Sequence, residues 1–301
     1  MIGSILAIVA LLYLGLLALL FLGQRRLVFR PDIDRADLAA AGLTEQMTEV
    51  AIATSDGLTL HSWWAPAVRA DQRVIVYFHG NAGHRGSRAE RIRDYLAAGY
   101  GVLLVGYRGY GGNPGQPSEP GLYADARANL AFLAAHNVRP EQIVLFGESL
   151  GTAVAIEIAL EFPALALVLE APLASIVLSA RARYPLFAFD FLVKDKFNSL
   201  GKIARVRMPL LLVHGELDRT TSVRFGRMLY AAANEPKQGV FLSEANHNNL
   251  MDHGLARTTM EFIEAMPPRS GAEAQPALRA LVTAPVMPSM ASAARSGLEK
   301  Q

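Results

Sequence analysis

The chain has 301 residues, enough for one large α/β domain or two average ones, and 51% of its residues are hydrophobic. Its formal net charge is +2 without a long basic tract, which argues against a nucleic-acid-binding protein that depends on phosphate contacts. It contains no cysteine, so disulfides and cysteine-ligated metals are excluded. A domain with a sizeable core and no nucleic-acid partner is therefore the simplest expectation.

The first predicted element is an apolar transmembrane helix at residues 1–23. Residues 2–22 carry no charge, and at 1.5 Å per residue a helix of that length is about 31 Å long, close to the hydrocarbon thickness of a bilayer. A cleaved signal peptide is the alternative, but a basic n-region and a good cleavage site are missing. Arg25, Arg26 and Arg30 follow, so the positive-inside rule predicts a single-pass protein with its main domain on the cytoplasmic face.

Residues 24–46 are predicted to be a connector with a short helix near 36–41, and residues 47–266 are predicted to form one α/β domain. Its predicted strands are 50–53, 58–65, 74–78, 102–105, 143–146, 165–169, 210–214 and 240–242, and its predicted helices are 85–98, 121–136, 152–160, 223–233 and 249–266. This alternation predicts a mostly parallel central sheet with helices on both faces. Residues 267–301 lack periodicity and are predicted to be a disordered tail.

The segment Gly147-Glu148-Ser149-Leu150-Gly151 fits Gly-x-Ser-x-Gly, the turn that presents a nucleophilic serine between a strand and a helix. A short apolar run enriched in β-forming residues precedes it, and a pattern typical of a buried helix follows. Glycines on both sides allow neighbouring backbone to approach closely. The bare pattern often arises by chance, but this frame makes Ser149 the predicted nucleophile.

Two downstream side chains complete a predicted proton relay. A serine hydroxyl needs a histidine to take its proton and a carboxylate to fix the tautomer of that histidine. Asp218 follows a buried strand at the carboxyl edge of the sheet, where ligands bind in open α/β folds, although a helix cap near Ser222 is the alternative role. Glu216 and Glu170 are weaker candidates. His247 lies between the last strand and the last helix and is the predicted base.

Backbone N–H groups are the predicted oxyanion donors. The oxyanion formed by attack needs preorganised donors, and the first is predicted at Leu150, directly after the nucleophile. The second is predicted at Asn81, with Ala82 as the alternative, because the loop after strand 74–78 is rich in small residues. The glycine-rich segment 107–115 lacks Gly-x-Gly-x-x-Gly spacing, and no Walker or His-Glu-x-x-His pattern occurs, so no cofactor and no metal are predicted.

An insertion at about residues 171–207 is predicted to form a small apolar cap over the site. Its apolar residues include 176–178, 184–187, Phe189 and 191–193. Such a cap favours an acyl chain, since each buried methylene contributes about 0.8 kcal/mol, although these residues are nearly as well explained by packing of the insertion onto the domain. Arg181 and Arg183 are candidates for a phosphate head group, against the alternative of ordinary solvated arginines.

As a set, these motifs resemble the membrane-anchored α/β-hydrolase-domain serine hydrolases, which include mammalian depalmitoylases and lysophospholipases. The resemblance runs from about residue 27 to residue 266. It is carried by Phe78-His79-Gly80-Asn81-Ala82-Gly83, Tyr107-Arg108-Gly109-Tyr110-Gly111, Gly147-Glu148-Ser149-Leu150-Gly151, His214-Gly215-Glu216-Leu217-Asp218 and His247-Asn248. It implies an α/β-hydrolase fold and hydrolysis of an ester, thioester or amide. The cysteine-rich N-terminus of the palmitate-cycling members is absent here.

The predicted function is a membrane-anchored serine hydrolase that cleaves a carboxylic ester or thioester of a lipid or other acyl substrate through an acyl-enzyme. A peptidase, an amidase or an acyltransferase on the same three residues is the enzymatic alternative. A catalytically inactive, membrane-tethered binding protein is the alternative from another class.

Overall fold

A computed structural model describes residues 2–69, 72–184 and 190–266 of the chain. Within these residues, eight strands form one sheet: β1 (Thr48–Ala53), β2 (Thr59–Ala65), β3 (Val74–Phe78), β4 (Gly101–Leu104), β5 (Ile143–Glu148), β6 (Ala166–Glu170), β7 (Leu210–Gly215) and β8 (Lys237–Leu242). Their order is β8-β7-β6-β5-β3-β4-β2-β1. The β1–β2 and β2–β4 pairings are antiparallel and all other pairings are parallel, as the sequence predicts for most of the sheet.

Helices cover both faces of this sheet. The covering helices are α2 (Ala89–Ala97), α3 (Glu119–Ala135), α4 (Leu150–Ala159), α6 (Val223–Ala232) and α7 (Leu255–Glu264), whereas α1 (Ile2–Val28) and α5 (Ile176–Arg183) have no buried residue. In β3, Val76 belongs to the core layer shared with α3 and α4, whereas Ile75 belongs to the layer shared with α2 and α7. Successive strand residues point to opposite faces, so a strand buried on both faces is apolar throughout.

Helix α1 is long and apolar enough to cross a bilayer, and none of its residues is buried. A signal sequence near an N-terminus has the same length and composition. The helix continues through Arg25 and Arg26 to Val28, so it extends into the segment predicted as a connector.

The remainder of the connector packs on the domain. Phe29 and Leu43 are buried in the core, and Arg30–Pro31 pairs in parallel with Ala82–Gly83 of the predicted oxyanion loop. The short helix predicted near 36–41 is wrong, because residues 38–42 form turns. A left-handed Gly42 (φ 64°) ends the first turn there.

The parallel strands β3, β5, β7 and β8 end at one edge of the sheet, and the segments that follow them carry the predicted site. The cap insertion contributes α5 and two short 3₁₀ turns, at Asp190–Leu192 and Ile203–Arg205. Residues 185–189 of that insertion and the predicted disordered tail, 267–301, lie outside the described residues.

Candidate active site

Ser149 lies on a sharp strand-to-helix turn between β5 and α4. Its backbone has φ 51° and ψ −114°, a left-handed conformation that costs a non-glycine residue free energy. A Cβ on Gly147 would lie 2.5 Å from the Cα of Thr152, and a Cβ on Gly151 would lie 2.0 Å from the carbonyl oxygen of Phe78. Both flanking glycines are therefore required by close backbone approach, and the turn holds the serine at the carboxyl edge of the sheet.

The structure brings the three predicted relay residues together. The Nε2 of His247 is 3.1 Å from the Oγ of Ser149, and its Nδ1 is 2.7 Å from the Oδ2 of Asp218. Ser149 and Asp218 are buried, whereas His247 is partly exposed. With the Nδ1 proton donated to the carboxylate, Nε2 is the free base that faces the hydroxyl.

Asp218 is fixed by more bonds than its contact with His247. Its Oδ1 accepts the backbone N–H groups of Thr220 (2.7 Å) and Thr221 (2.9 Å), and its Oδ2 accepts the hydroxyl of Thr221 (2.9 Å). The Nε2 of His214 lies 3.2 Å from the same Oδ2. Burial acts to raise the pKa of this carboxyl, but hydrogen bonds from His214 and His247 outweigh it and hold the pKa well below its usual range. The group is therefore a charged, immobile acceptor.

The structure gives Asp218, Glu216 and Glu170 three different environments. Asp218 does cap backbone, but the N–H groups it accepts belong to the turn before α6 and not to the helix itself. Glu216 pairs with Arg227 on the protein surface.

Glu170 is buried beneath the turn that carries Ser149. Its carbonyl accepts the N–H of Ser149 (2.9 Å), and its carboxylate pairs with Arg91 (2.6 Å). Neither glutamate hydrogen-bonds to the relay histidine.

The pKa of the Glu170 carboxyl is raised. Burial raises its pKa to about 7, the neighbouring Glu148 adds to the effect and the Arg91 guanidinium opposes it. Arg91 also donates to the carbonyl of Asn248 (3.3 Å), directly after the relay histidine. Arg91 thus connects the buried carboxyl to the loop that carries the base.

The residues of the two predicted oxyanion donors, Asn81 and Leu150, line the same cavity as Ser149. Leu150 begins α4, so its N–H has no intrahelical acceptor. The carbonyl of Gly80 lies 2.8 Å from the Nδ1 of His79, and in a trans peptide the following N–H, that of Asn81, points the opposite way. Burial lowers the pKa of His79 to about 3, so its ring is neutral and serves as a fixed donor.

A buried ion pair, which the sequence did not predict, supports the oxyanion loop that contains Asn81 and Ala82. Arg88 donates to both carboxylate oxygens of Glu148 (2.9 and 2.7 Å) and to the carbonyl of Ala82 (2.7 Å). The carbonyl of Asn81 accepts the hydroxyl of Tyr110 (3.0 Å). Glu148 is the first variable residue of the Gly-x-Ser-x-Gly turn, and a charged residue at the end of a buried strand was the signal for such a partner.

A cavity of about 570 Å³ opens beside Ser149. Its apolar walls include Leu17, Leu20 and Phe21 of α1 and Leu173, Ile176 and Leu192 of the insertion. Of the two arginines considered for a head group, Arg183 lines the cavity, whereas Arg181 pairs with Asp190. Phe187 and Phe189, predicted as cap residues, lie outside the described residues.

The contribution of α1 to this cavity had no signal in the sequence, because its residues are those expected of any lipid-facing helix. The described part of the chain contains no cluster of three or more His, Asp or Glu side chains that could hold a metal ion.

Comparison with known proteins defines the family. A family model described as serine aminopeptidase, S33, matches residues 69–200. The protein Rv2307c of Mycobacterium tuberculosis is 38% identical over 247 residues, 81% of this chain and 88% of that protein. The lysophosphatidylserine lipase ABHD12 of Macaca fascicularis is 32% identical, over 57% of this chain and 48% of that protein. The esterase Pf2001 of Pyrococcus furiosus has the same fold, with a TM-score of 0.64 and 20% identity over 80% of this chain and 98% of that one. The chain belongs to the α/β-hydrolase superfamily, as its motifs predict.

Proposed function

We propose that this hydrolase is a membrane-anchored serine hydrolase that cleaves a carboxylic ester or thioester of a lipid or other acyl substrate. One observation carries the proposal: a continuous hydrogen-bond chain joins the Ser149 hydroxyl, His247 and the Asp218 carboxylate at distances of 3.1 and 2.7 Å. These distances fall within the range at which a general base takes a proton from a nucleophile.

The chemistry follows from the atoms in contact. The Oγ of Ser149 attacks the carbonyl carbon while the Nε2 of His247 takes the hydroxyl proton, and Asp218 stabilises the imidazolium that forms. The N–H groups of Asn81 and Leu150 donate hydrogen bonds to the carbonyl oxygen as negative charge develops on it. The imidazolium then gives its proton to the leaving alkoxide or thiolate as the bond to it breaks. Water attacks the acyl-enzyme with the same histidine as base and releases the carboxylic acid.

The apolar cavity next to Ser149 supports an acyl substrate. Apolar side chains of α1 and of the insertion line it. ABHD12 of Macaca fascicularis is named a lysophosphatidylserine lipase and Pf2001 an esterase, which favours an ester over an amide. A peptidase or amidase is the second candidate, because the matching family model is described as serine aminopeptidase.

The apolar length of α1 supports a permanent membrane anchor, and Arg25, Arg26 and Arg30 support a cytoplasmic position for the catalytic domain. A C-terminal reporter that is active only in the cytoplasm is the expected result. Activity of a reporter that works only after export would reverse this orientation.

The test of the catalytic proposal uses the full chain in detergent micelles. Wild type is expected to hydrolyse p-nitrophenyl esters and the matched thioesters, and to cleave aminoacyl p-nitroanilides far more slowly. Ser149→Ala is expected to remove ester hydrolysis, with an unchanged circular dichroism spectrum as the control for folding. Rapid anilide cleavage with slow ester cleavage would favour the peptidase. A folded wild type without activity on any of these substrates would reject the proposal.

A further inference from the structure

One face of α1 forms a wall of the cavity that contains Ser149. The residues of this face that line the cavity are Leu17, Leu20, Phe21, Gln24, Leu27 and Val28. Their spacing of three and four residues places them on one stripe of the helix. Leu22, by contrast, lies on the opposite side of the helix and is 77% exposed. The two faces of the helix therefore have different neighbours, although both are apolar.

Polar contacts fix this part of α1 against the insertion. The side-chain amide of Gln24 donates to the carbonyl of Leu192 (3.1 Å) and accepts the N–H of Lys194 (2.7 Å). Arg25 pairs with Asp195 at 2.8 Å. Asp195 is buried and also accepts the N–H that begins α3 (2.8 Å). The helix has a defined position against the catalytic domain, which a flexible tether would not have.

The lining of the cavity combines catalytic and membrane-level residues. It includes Ser149 and the residues of the predicted oxyanion donors, and also Leu17 and Leu20 of α1. Leu17 and Leu20 belong to the uncharged run of residues 2–22, and Arg25 and Arg26 follow Leu20 within two turns of helix. In a membrane-spanning α1, basic residues at this position mark the head-group level, and Leu17 and Leu20 lie at the edge of the hydrocarbon.

We propose that Leu17, Leu20 and Phe21 of the anchor are specificity-determining residues that hold the acyl chain of the substrate. The chain enters the cavity from the bilayer along α1, so that its methylenes pass from lipid to protein without exposure to water. This inference rests on the proposed function, and it adds that the membrane helix is a component of the active site. Each buried methylene strengthens binding about fourfold. A bulky residue that blocks the cavity beside α1 therefore lowers kcat/KM strongly for long acyl chains and weakly for short ones.

The experiment compares Leu20→Trp with the matched control Leu22→Trp, both as full-length protein in detergent micelles. The measured quantity is the ratio of kcat/KM for p-nitrophenyl decanoate to that for p-nitrophenyl acetate. Leu20→Trp is expected to lower this ratio by at least about tenfold, because the indole fills the part of the cavity beside α1. Leu22→Trp is expected to keep the wild-type ratio. Equal ratios in the two variants would overturn the inference.

A second measurement locates the chain directly. A fluorophosphonate whose decyl chain ends in a diazirine is attached at Ser149 and irradiated, and the cross-linked peptides are sequenced. Cross-links to Leu17, Leu20 or Phe21 are expected. Cross-links confined to the catalytic domain would contradict a role for α1 while leaving the proposed hydrolase intact. Failure of folded wild type to react or to hydrolyse acetate would instead reject the proposed function, and this inference with it.

Discussion

The catalytic edge of the sheet and the wall of the cavity are constructed in opposite ways. Ser149 and Asp218 are buried, and each is fixed by hydrogen bonds to backbone or neighbouring side chains. Helices α1 and α5, which contribute to the cavity, have no buried residue. Under the proposed function, reactivity depends on rigid geometry within the core, whereas substrate selection depends on helices that are held at the surface by a few polar contacts.

The largest effect is expected at the rigid edge. Asp218→Asn keeps the shape of the side chain but removes the charge that stabilises the imidazolium and fixes its tautomer, so kcat is expected to fall about 10⁴-fold. Steady-state hydrolysis of p-nitrophenyl acetate measures it. Glu216→Gln, which alters the surface carboxylate of the same loop, is the control and is expected to retain wild-type kcat. A comparable loss in both variants would show that the loop, and not the Asp218 charge, was disturbed.

A smaller loss is expected at the oxyanion loop. His79→Phe retains ring packing against Tyr107 and Tyr110 but removes the donor that holds the Gly80 carbonyl. The N–H of Asn81 then loses its fixed orientation, and kcat is expected to fall about 10²–10³-fold with little change in KM. Presteady-state acylation rates check the assignment. A rise in KM at constant kcat would contradict it.

The polar contacts of α1 allow a test of the cavity wall that this helix forms. Asp195→Ala removes the acceptor of Arg25 and of the first N–H of α3, and it is expected to lower the decanoate-to-acetate ratio by about three- to tenfold. Asp190→Ala removes a surface ion pair with Arg181 and is expected to change the ratio little. Identical ratios in both variants would show that the position of α1 does not affect selectivity.

The smallest expected effect is on the pH dependence of stability. The carboxyl of Glu170 has a pKa of about 7 in the folded protein against an ordinary value of 4.5, so the folded state binds more protons between these values. Its contribution to stability is greatest below about pH 4.5 and is lost as pH rises towards 7. Glu170→Gln does not titrate, and its Tm relative to wild type is expected to rise by on the order of 5 °C between pH 5 and pH 8, at one scan rate. A constant difference would contradict the raised pKa.

Most of the rigid edge is predictable from the sequence. The flanking glycines specify the turn at Ser149, and placement in loops after buried strands identifies Asp218 and His247. The glycines and the loop positions are local features of the sequence, and each is compatible with only a few structures. The apolar strands β3, β6 and β7 are likewise predicted, whereas only residues 240–242 of β8 are, because this strand begins with Lys237 and Gln238.

The remaining features depend on contacts between segments distant in sequence. The pairing of Arg88 with Glu148 and the packing of Leu17 and Leu20 beside Ser149 arise only once the chain has folded. An apolar residue on α1 has the same sequence signature whether it contacts lipid or a substrate chain. The predicted helix near 36–41 failed because one turn with a left-handed glycine does not nucleate a longer helix.

The most direct test of the account is the reaction of folded, full-length wild type with an alkyl fluorophosphonate, followed by intact-mass measurement and peptide mapping. The account predicts one adduct per chain, located on Ser149, together with complete loss of ester hydrolysis. An adduct on another residue, or full hydrolysis by protein modified at Ser149, would contradict it.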